Sequence, residues 1–405
     1  MKSWLIVILS IMLLNVLPAE GQNPDFKTYS SLNIENSYAY KDGNMYQKDL
    51  LLFLDILKQC HPAFAPESDF PFNIDSIANE GYQVVSNYQS VNQLKNYLQA
   101  IATLLNDGHT TLFPDINNNL IYPFTFFLDK QNAYLLGINK EYESVLGKQI
   151  LQINGQPFFE VLNSFRQAIS SDNEVYFLDK VNGFMQLYSI WAHNPYCLSD
   201  SSLALTFTDG TNISIRPISK QGINIVQQQT QAPSNSPRQN TKQPFQYTIL
   251  PEKDICYLQF NTCTDQGTLR YQYYMNNPNE LSEDLEKKLS QYPRFDNFLS
   301  EMFQAIETNK IQTLVIDVRG NSGGNSKLCD ILLSWLKPIA NIKSESSLIR
   351  FSELWAQHYP ALATEYKQIL ADAQLPFEIG KLYDNSFLFS LSNEQESSVF
   401  EKIDE

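Results

Sequence analysis

The stretch that most constrains this chain runs from Thr313 to Asn325, TLVIDVRGNSGGN. Its first half is a continuous apolar run, the pattern of a strand buried on both faces of a parallel sheet. Its second half is rich in glycine, and Ser326 to Leu336 then reads as a helix stopped by Pro338. Upstream, Ile255-Cys256-Tyr257-Leu258-Gln259-Phe260 reads as another strand, with helical stretches at about 281–289 and 295–307 between the two. Strand, helix, strand, loop, helix is a βα unit, so this part of the chain is expected to be α/β.

The loop can be read chemically in three ways. Residues 320–324 match G-x-S-x-G between a strand and a helix, which would make Ser322 the nucleophile of an α/β-hydrolase esterase. That enzyme class orders its triad as serine, acid, histidine, and only His358 follows Ser322. The second reading uses the backbone instead. Gly323 and Gly324, beside a helix N-terminus, can point N–H groups at an oxyanion. In the third, the glycines only let a tight turn close.

The preceding chain has a different organisation. Asn44-x-x-Gln47 and Ser90-x-x-Gln93 are capping boxes, each followed by apolar residues at helical spacing. Residues 44–115 therefore read as an N-terminal helical domain, with Gly108 as the C-cap of its last helix. Residues 120–220 read as a β-rich module. FTFFLD, AYLLGI, KQILQING and LALTFTDGTNISIRPI are strand-like, with turns at Asn154-Gly155 and Asp209-Gly210 and a helix over 157–168. Residues 225–246 are rich in Gln and Pro and read as a flexible linker. The fold class expected is multidomain α/β, α+β overall.

Lys and Arg number 29 against 44 Asp and Glu, a net charge of −15. This is a poor footprint for nucleic acid, whose phosphates need a basic surface. The N-terminus, MKSWLIVILSIMLLNVLPAEGQ, has the layout of a secretory signal peptide over residues 1–21. Its apolar run from Trp4 to Leu14 falls short of the ~18–20 residues that cross a bilayer. The mature protein is expected to be secreted or periplasmic, with no membrane span. Cys60, Cys197, Cys256, Cys263 and Cys329 show no zinc spacing and read mostly as small buried residues rather than a disulfide framework. Asn212-Ile-Ser214 is a glycosylation sequon, relevant only in a eukaryotic secretory pathway.

With these residues in view, the chain resembles a family. TLVIDVRGNSGGNS is similar to the Asp-x-Arg-x-Asn-x-Gly-Gly loop of the tail-specific, or C-terminal processing, serine peptidases. LLNDGHTTLF resembles the end of that family's N-terminal helical region. LGKQILQINGQPFFEVL resembles a PDZ-like segment, and ICYLQFNTC the first strand of the protease core. The order of parts is preserved over most of residues 44–340. The resemblance implies a PDZ-like module at 120–220 and a ClpP- or crotonase-like core within 247–405. It also implies a Ser acyl-enzyme, with Gly323 and Gly324 as oxyanion donors and no metal or organic cofactor. In the tricorn-core-like branch a histidine from the helical region is the base, and here it matches His109. Asp107 would orient that ring or merely cap its loop.

The implied substrate is a peptide or protein, held by its C-terminus through strand addition at Ile150–Pro157. The family's nucleophilic serine and the lysine of its Ser–Lys branch have no clear match. Ser397-Ser398 lies in an acidic context, and no core strand leads into Lys381. The core is expected to be incomplete, with the nucleophile beyond residue 405. Retinal relatives bind lipophilic ligands on the same scaffold, so a non-catalytic peptide- or lipophile-binding protein is the alternative from another functional class.

Overall fold

The computed structural model describes residues 43–112, 120–128, 131–228, 236–239, 242–276, 283–336 and 348–384. The signal-peptide reading at 1–21, parts of the linker and the Ser397-Ser398 segment lie outside the described residues. Contacts gather the chain into two compact units, 1–229 together with 345–405, and 230–344.

The first unit begins with helices α1 (Met45–Cys60), α2 (Ile74–Val85) and α3 (Val91–Thr103). Both predicted capping boxes are present. Asn44 Oδ1 accepts from the Gln47 amide at 3.0 Å and Gln47 Oε1 from the Asn44 amide at 2.9 Å. Ser90 and Gln93 make the same reciprocal pair. Leu50, Leu54, Ala78, Val85, Leu94 and Leu98 form the core of these helices. Gly81 allows the close approach of α1 to α2, since a Cβ there would lie 2.9 Å from Leu50 Cδ2.

Strands β1 (Leu120–Ile121), β2 (Phe124–Leu128), β3 (Ala133–Asn139), β4 (Gln149–Ile153) and β5 (Gln156–Pro157) lead to helices α4 (Phe158–Ser164), α5 (Glu174–Phe184) and α6 (Tyr188–Trp191). β6 (Leu203–Phe207), β7 (Asn212–Ile215), β8 (Ile218–Ser219) and β9 (Ile225–Gln227) follow. The main sheet runs β2-β3-β4-β6-β7, with β5 on β4 and β9 on β3. Every neighbouring pair in it is antiparallel. Leu203, Leu205 and Phe207 alternate inward onto Phe124, Phe126, Phe158, Phe165 and Trp191. At the β4–β5 hairpin both Asn154 and Gly155 have positive φ, +53° and +76°, the conformation that Asn-Gly turns favour.

The sheet corrects one expectation. β4 pairs with β6 on one side and with β3 and β5 on the other, so Gln149–Ile153 offers no open edge to a peptide, while the short β5 (Gln156–Pro157) pairs only with β4 among the described residues. Strand addition needs free N–H and C=O groups, and here those groups are already paired.

The second unit, 230–344, carries β10 (Phe245–Leu250), β11 (Ile255–Phe260), α7 (Gln266–Asn276), α8 (Glu283–Leu289), α9 (Phe295–Thr308), β12 (Thr313–Asp317) and α10 (Lys327–Leu336). β10 and β11 are antiparallel, whereas β11 and β12 are parallel. Leu258, Phe260, Phe295, Leu299, Met302, Leu328 and Leu332 make its core. β12 is parallel, as its apolar run suggested, but it is not buried on both faces. Val315 and Ile316 are each 38% exposed, because among the described residues β12 pairs only with β11. Part of the expected flexible linker is anchored. The Gln239 amide donates to Gln259 Oε1 at 2.9 Å, and Arg238 reaches Asp317.

The chain then rejoins the first unit through β13 (Leu348–Arg350), α11 (Glu353–His358), α12 (Pro360–Asp372) and β14 (Leu382–Asp384), around Phe351 and Trp355. Arg350 Nη1 donates to the carbonyls of Lys58 at 2.8 Å and His61 at 2.9 Å, and its Nε to Gly380 at 3.0 Å. These bonds satisfy two carbonyls at the end of α1 that the helix itself leaves open. No helix among the described residues is long and apolar enough to cross a membrane.

Candidate functional site

His109 and the Gly323–Gly324 pair belong to different compact units, and each is described within its own. In the first unit α3 ends at Thr103 with Leu104 as its cap. Gly108 is therefore not the helix C-cap. The left-handed residue in this stretch is Asn106, with φ +49°. Gly108 instead sits close to Asp172, whose Oδ1 accepts its amide at 3.0 Å and whose Oδ2 would lie 2.9 Å from an added Cβ.

Asp107 is 2% exposed and organises this loop. Its Oδ1 accepts the His109 amide at 2.9 Å, and its Oδ2 accepts the Thr110 hydroxyl and His61 Nε2, the latter at 3.4 Å. His61 Nδ1 accepts the Ala63 amide at 3.1 Å, so Nε2 is the nitrogen that carries a proton toward Asp107. Burial alone would raise the Asp107 pKa. The donors His61, Thr110 and the His109 amide outweigh it and lower the carboxyl below its usual range. The His109 ring stands apart from this network. Its side chain is 49% exposed and its Nδ1 lies 3.8 Å from Asp107 Oδ1, beyond hydrogen-bond length. Asp107 thus fixes the backbone that carries His109 and leaves the ring half exposed.

His61 and Asp172 were not legible as parts of this loop. Each comes from a distant segment, and His61 reads locally as an ordinary helix end before Pro62.

In the second unit the Gly-rich loop lies between β12 and α10. Asp317, at the end of β12, is 6% exposed. It accepts Arg319 Nε at 2.9 Å and Nη2 at 2.8 Å, Arg238 Nη1 at 2.7 Å, and the Tyr257 hydroxyl. Arg319 above all, then Tyr257 and Arg238, holds the Asp317 carboxyl well below the usual carboxylate range against the opposing effect of burial.

The turn itself is pinned to the residues after β11. The Gly323 carbonyl accepts the Cys263 amide at 2.9 Å and the Thr262 hydroxyl at 3.0 Å, and the Asn325 amide donates to the Cys263 carbonyl at 2.7 Å. Both glycines need positive φ, +86° at Gly323 and +133° at Gly324. Their N–H groups differ. That of Gly323 donates to Asn321 Oδ1 at 2.8 Å, while that of Gly324 meets no acceptor among the described residues. Gly324 is the open donor of the pair, and Gly323 is held by Asn321.

Ser322 is exposed, and the positive φ values fall on the two residues that follow it rather than on it. Residues 230–344 contain no histidine, so Ser322 has no imidazole base within its own unit. Lys381 lies in the first unit, paired with Glu378 at 3.0 Å on the surface.

Replacing Asp317 by alanine is expected to cost about 1–3 kcal/mol, chiefly by leaving the buried Tyr257 hydroxyl without its acceptor. The arginines are 74% and 30% exposed at their side chains and can recover water, which keeps the cost below that of a fully buried broken pair. The folded-state pKa is depressed, so the Asp317 contribution is fully present above the unfolded carboxylate range near pH ~4 and fades as pH falls further. Urea unfolding of wild type and D317A from pH 7 to pH 3 should show a constant gap that begins to narrow only below about pH 4.

The two units define a mixed α+β fold of helices and largely antiparallel sheets. No family profile matches the sequence, and no curated protein matches it. Among solved structures the fold is similar to that of the chlamydial protein CPAF. Mature CPAF complexed with lactacystin aligns with a TM-score of 0.51 at 13% identity, over 80% of this chain and 64% of that chain. Mature CPAF gives 0.46 at 13% identity over the same shares, and a serine-to-alanine CPAF mutant gives 0.44 at 14% over 74% and 65%. The chain thus spans a little under two thirds of the CPAF chain complexed with lactacystin, and at this identity the likeness is one of fold.

Proposed function

We propose that the protein is an exported serine peptidase of the tail-specific type that hydrolyses peptide bonds through an acyl-enzyme. The observation that carries this reading is the Gly323–Gly324 turn, with its positive φ values and the open N–H of Gly324, on a tail-specific-protease-like fold. A tetrahedral intermediate needs preorganised donors for its oxyanion, and a backbone N–H at such a turn supplies one without reorganisation. His109, half exposed on a loop fixed by Asp107, is the general base that takes the nucleophile's proton.

The tricorn-core-like use of that histidine, a PDZ-like role for 120–220 and a ClpP- or crotonase-like core within 247–405 complete the proposal. The substrate is a peptide or protein. Since β4 is paired on both sides, the C-terminus of the substrate does not add to Gln149–Ile153. The attacking serine is assigned to no described residue.

The test is labelling of the expressed gene product by a fluorophosphonate probe, with the modified serine located by peptide mapping. A second arm follows hydrolysis of unstructured polypeptide. Labelling at a serine other than Ser322, together with hydrolysis, is the expected result. Labelling confined to Ser322 would replace the proposal by the esterase reading. Neither labelling nor hydrolysis would leave a binding protein on this scaffold.

A further inference from the structure

The Gly-Gly turn is bracketed by two thiols. Cys263 Sγ and Cys329 Sγ lie 3.8 Å apart, although 66 positions separate them in the chain. No other pair of thiols is in contact among the described residues. Cys263 is the residue whose amide and carbonyl hold Gly323 and Asn325, so it anchors one flank of the turn. Cys329 sits in the first turn of α10, its amide on the Ser326 carbonyl at 2.9 Å, and anchors the other. Between them, Asn321 Nδ2 meets Cys263 Sγ at 3.5 Å while its Oδ1 accepts the Gly323 amide.

We propose that Cys263 and Cys329 are a redox pair, which a low-molecular-weight disulfide converts into an intramolecular disulfide across the base of the Gly323–Gly324 turn. Closure needs the sulfurs to approach from 3.8 Å to the bonded ~2.05 Å. The burial of the two residues sets the order of events. Cys329 is exposed and Cys263 only 7% exposed. The Cys329 thiolate, having released its proton to solvent, attacks one sulfur of the oxidant and expels the first thiolate, leaving a mixed disulfide. Cys263 then loses its proton, and its thiolate attacks Cys329 Sγ, expelling the second. Two protein thiols are oxidised by two electrons, and one external disulfide is reduced to two thiols.

Although the residue is exposed overall, partial desolvation of its sulfur, and next to it the neighbouring Cys263, pushes the Cys329 thiol up to about 11. The reactive thiolate is therefore scarce at neutral pH, and its share grows about tenfold per pH unit below that value. Moving Cys263 Sγ withdraws the partner of the Asn321 amide, so the same step reaches the Gly323 N–H. This last consequence rests on the peptidase reading, whereas the thiol chemistry does not.

The full chain is equilibrated with oxidised glutathione, quenched by alkylation and mapped by mass spectrometry. One peptide pair linked through Cys263 and Cys329 is expected, with Cys60, Cys197 and Cys256 alkylated. Formation should be about tenfold faster at pH 8.5 than at pH 7.5. C329S should abolish the link and leave Cys263 alkylated on denaturation. Alkylation of both cysteines at saturating oxidant would overturn the proposal, as would a mixed disulfide persisting on Cys329 or a link to any other cysteine. Because the readout is covalent, it is independent of whether the protein hydrolyses peptides.

Discussion

Replacing Gly324 by alanine is expected to destabilise the second unit by about 3–5 kcal/mol and to abolish any chemistry that depends on the turn. Two causes add. At φ +133° an L side chain is strained by about 1–3 kcal/mol. A Cβ would also lie 2.3 Å from the carbonyl oxygen and 2.7 Å from the carbonyl carbon of Cys263, backbone atoms that cannot swing aside. Relief would require breaking the Gly323–Cys263 and Asn325–Cys263 hydrogen bonds that seat the turn. Gly323 is the internal control. Its φ of +86° is unfavourable for alanine, but nothing lies within 4 Å of an added Cβ. G323A should cost about 1–2 kcal/mol. Urea unfolding of both variants measures the difference, and equal losses would show that strain alone governs the turn.

The second large effect is expected at His109, with the opposite balance between stability and activity. H109Q keeps the backbone amide that Asp107 accepts and removes a ring that is 49% exposed and beyond hydrogen-bond length of any carboxylate oxygen of Asp107. Stability should change by no more than about 0.5 kcal/mol. Loss of a positioned general base should lower kcat/KM on a peptide substrate by about 10²–10⁴. The separation of the two readouts is the diagnostic. An unchanged kcat/KM would remove His109 from the chemistry, and parallel losses in both would make it structural.

Local signals carried much of the fold. Both capping boxes, the Asn154-Gly155 hairpin, the alternating strand β6 and the βα unit around β12 were legible because each is set by a short run of sequence. Helix α2 was not. Its buried stripe includes Ala78 and Gly81, which carry little apolar signal, and Gly81 is favourable only because Leu50 of α1 comes close to it. The exposure of β12 was also hidden. An apolar run reports that a strand is suited to burial, but its partners on either side are a property of the whole sheet. The candidate site divides the same way. The Gly323–Gly324 turn and the Asp-Gly-His motif stood out in the sequence. The contacts that give them their geometry, from His61, Asp172, Cys263 and Asn321, depend on segments brought together only in the fold. The difference between the two glycine amides likewise has no sequence signal, because it depends on Asn321 Oδ1 accepting one of them.

The bonds from Arg350 to the end of α1 set a schedule for synthesis. They join residues 289 and 292 positions apart, around an inserted unit that is continuous in sequence. At ~5–20 residues per second, the carbonyls of Lys58 and His61 wait about 15–60 s after emerging before Arg350 is made. The inserted unit can form within that interval, while the unit that carries His109 stays open at one end. The end of α1 therefore gains its Arg350 bonds only after the whole of the inserted unit has been made.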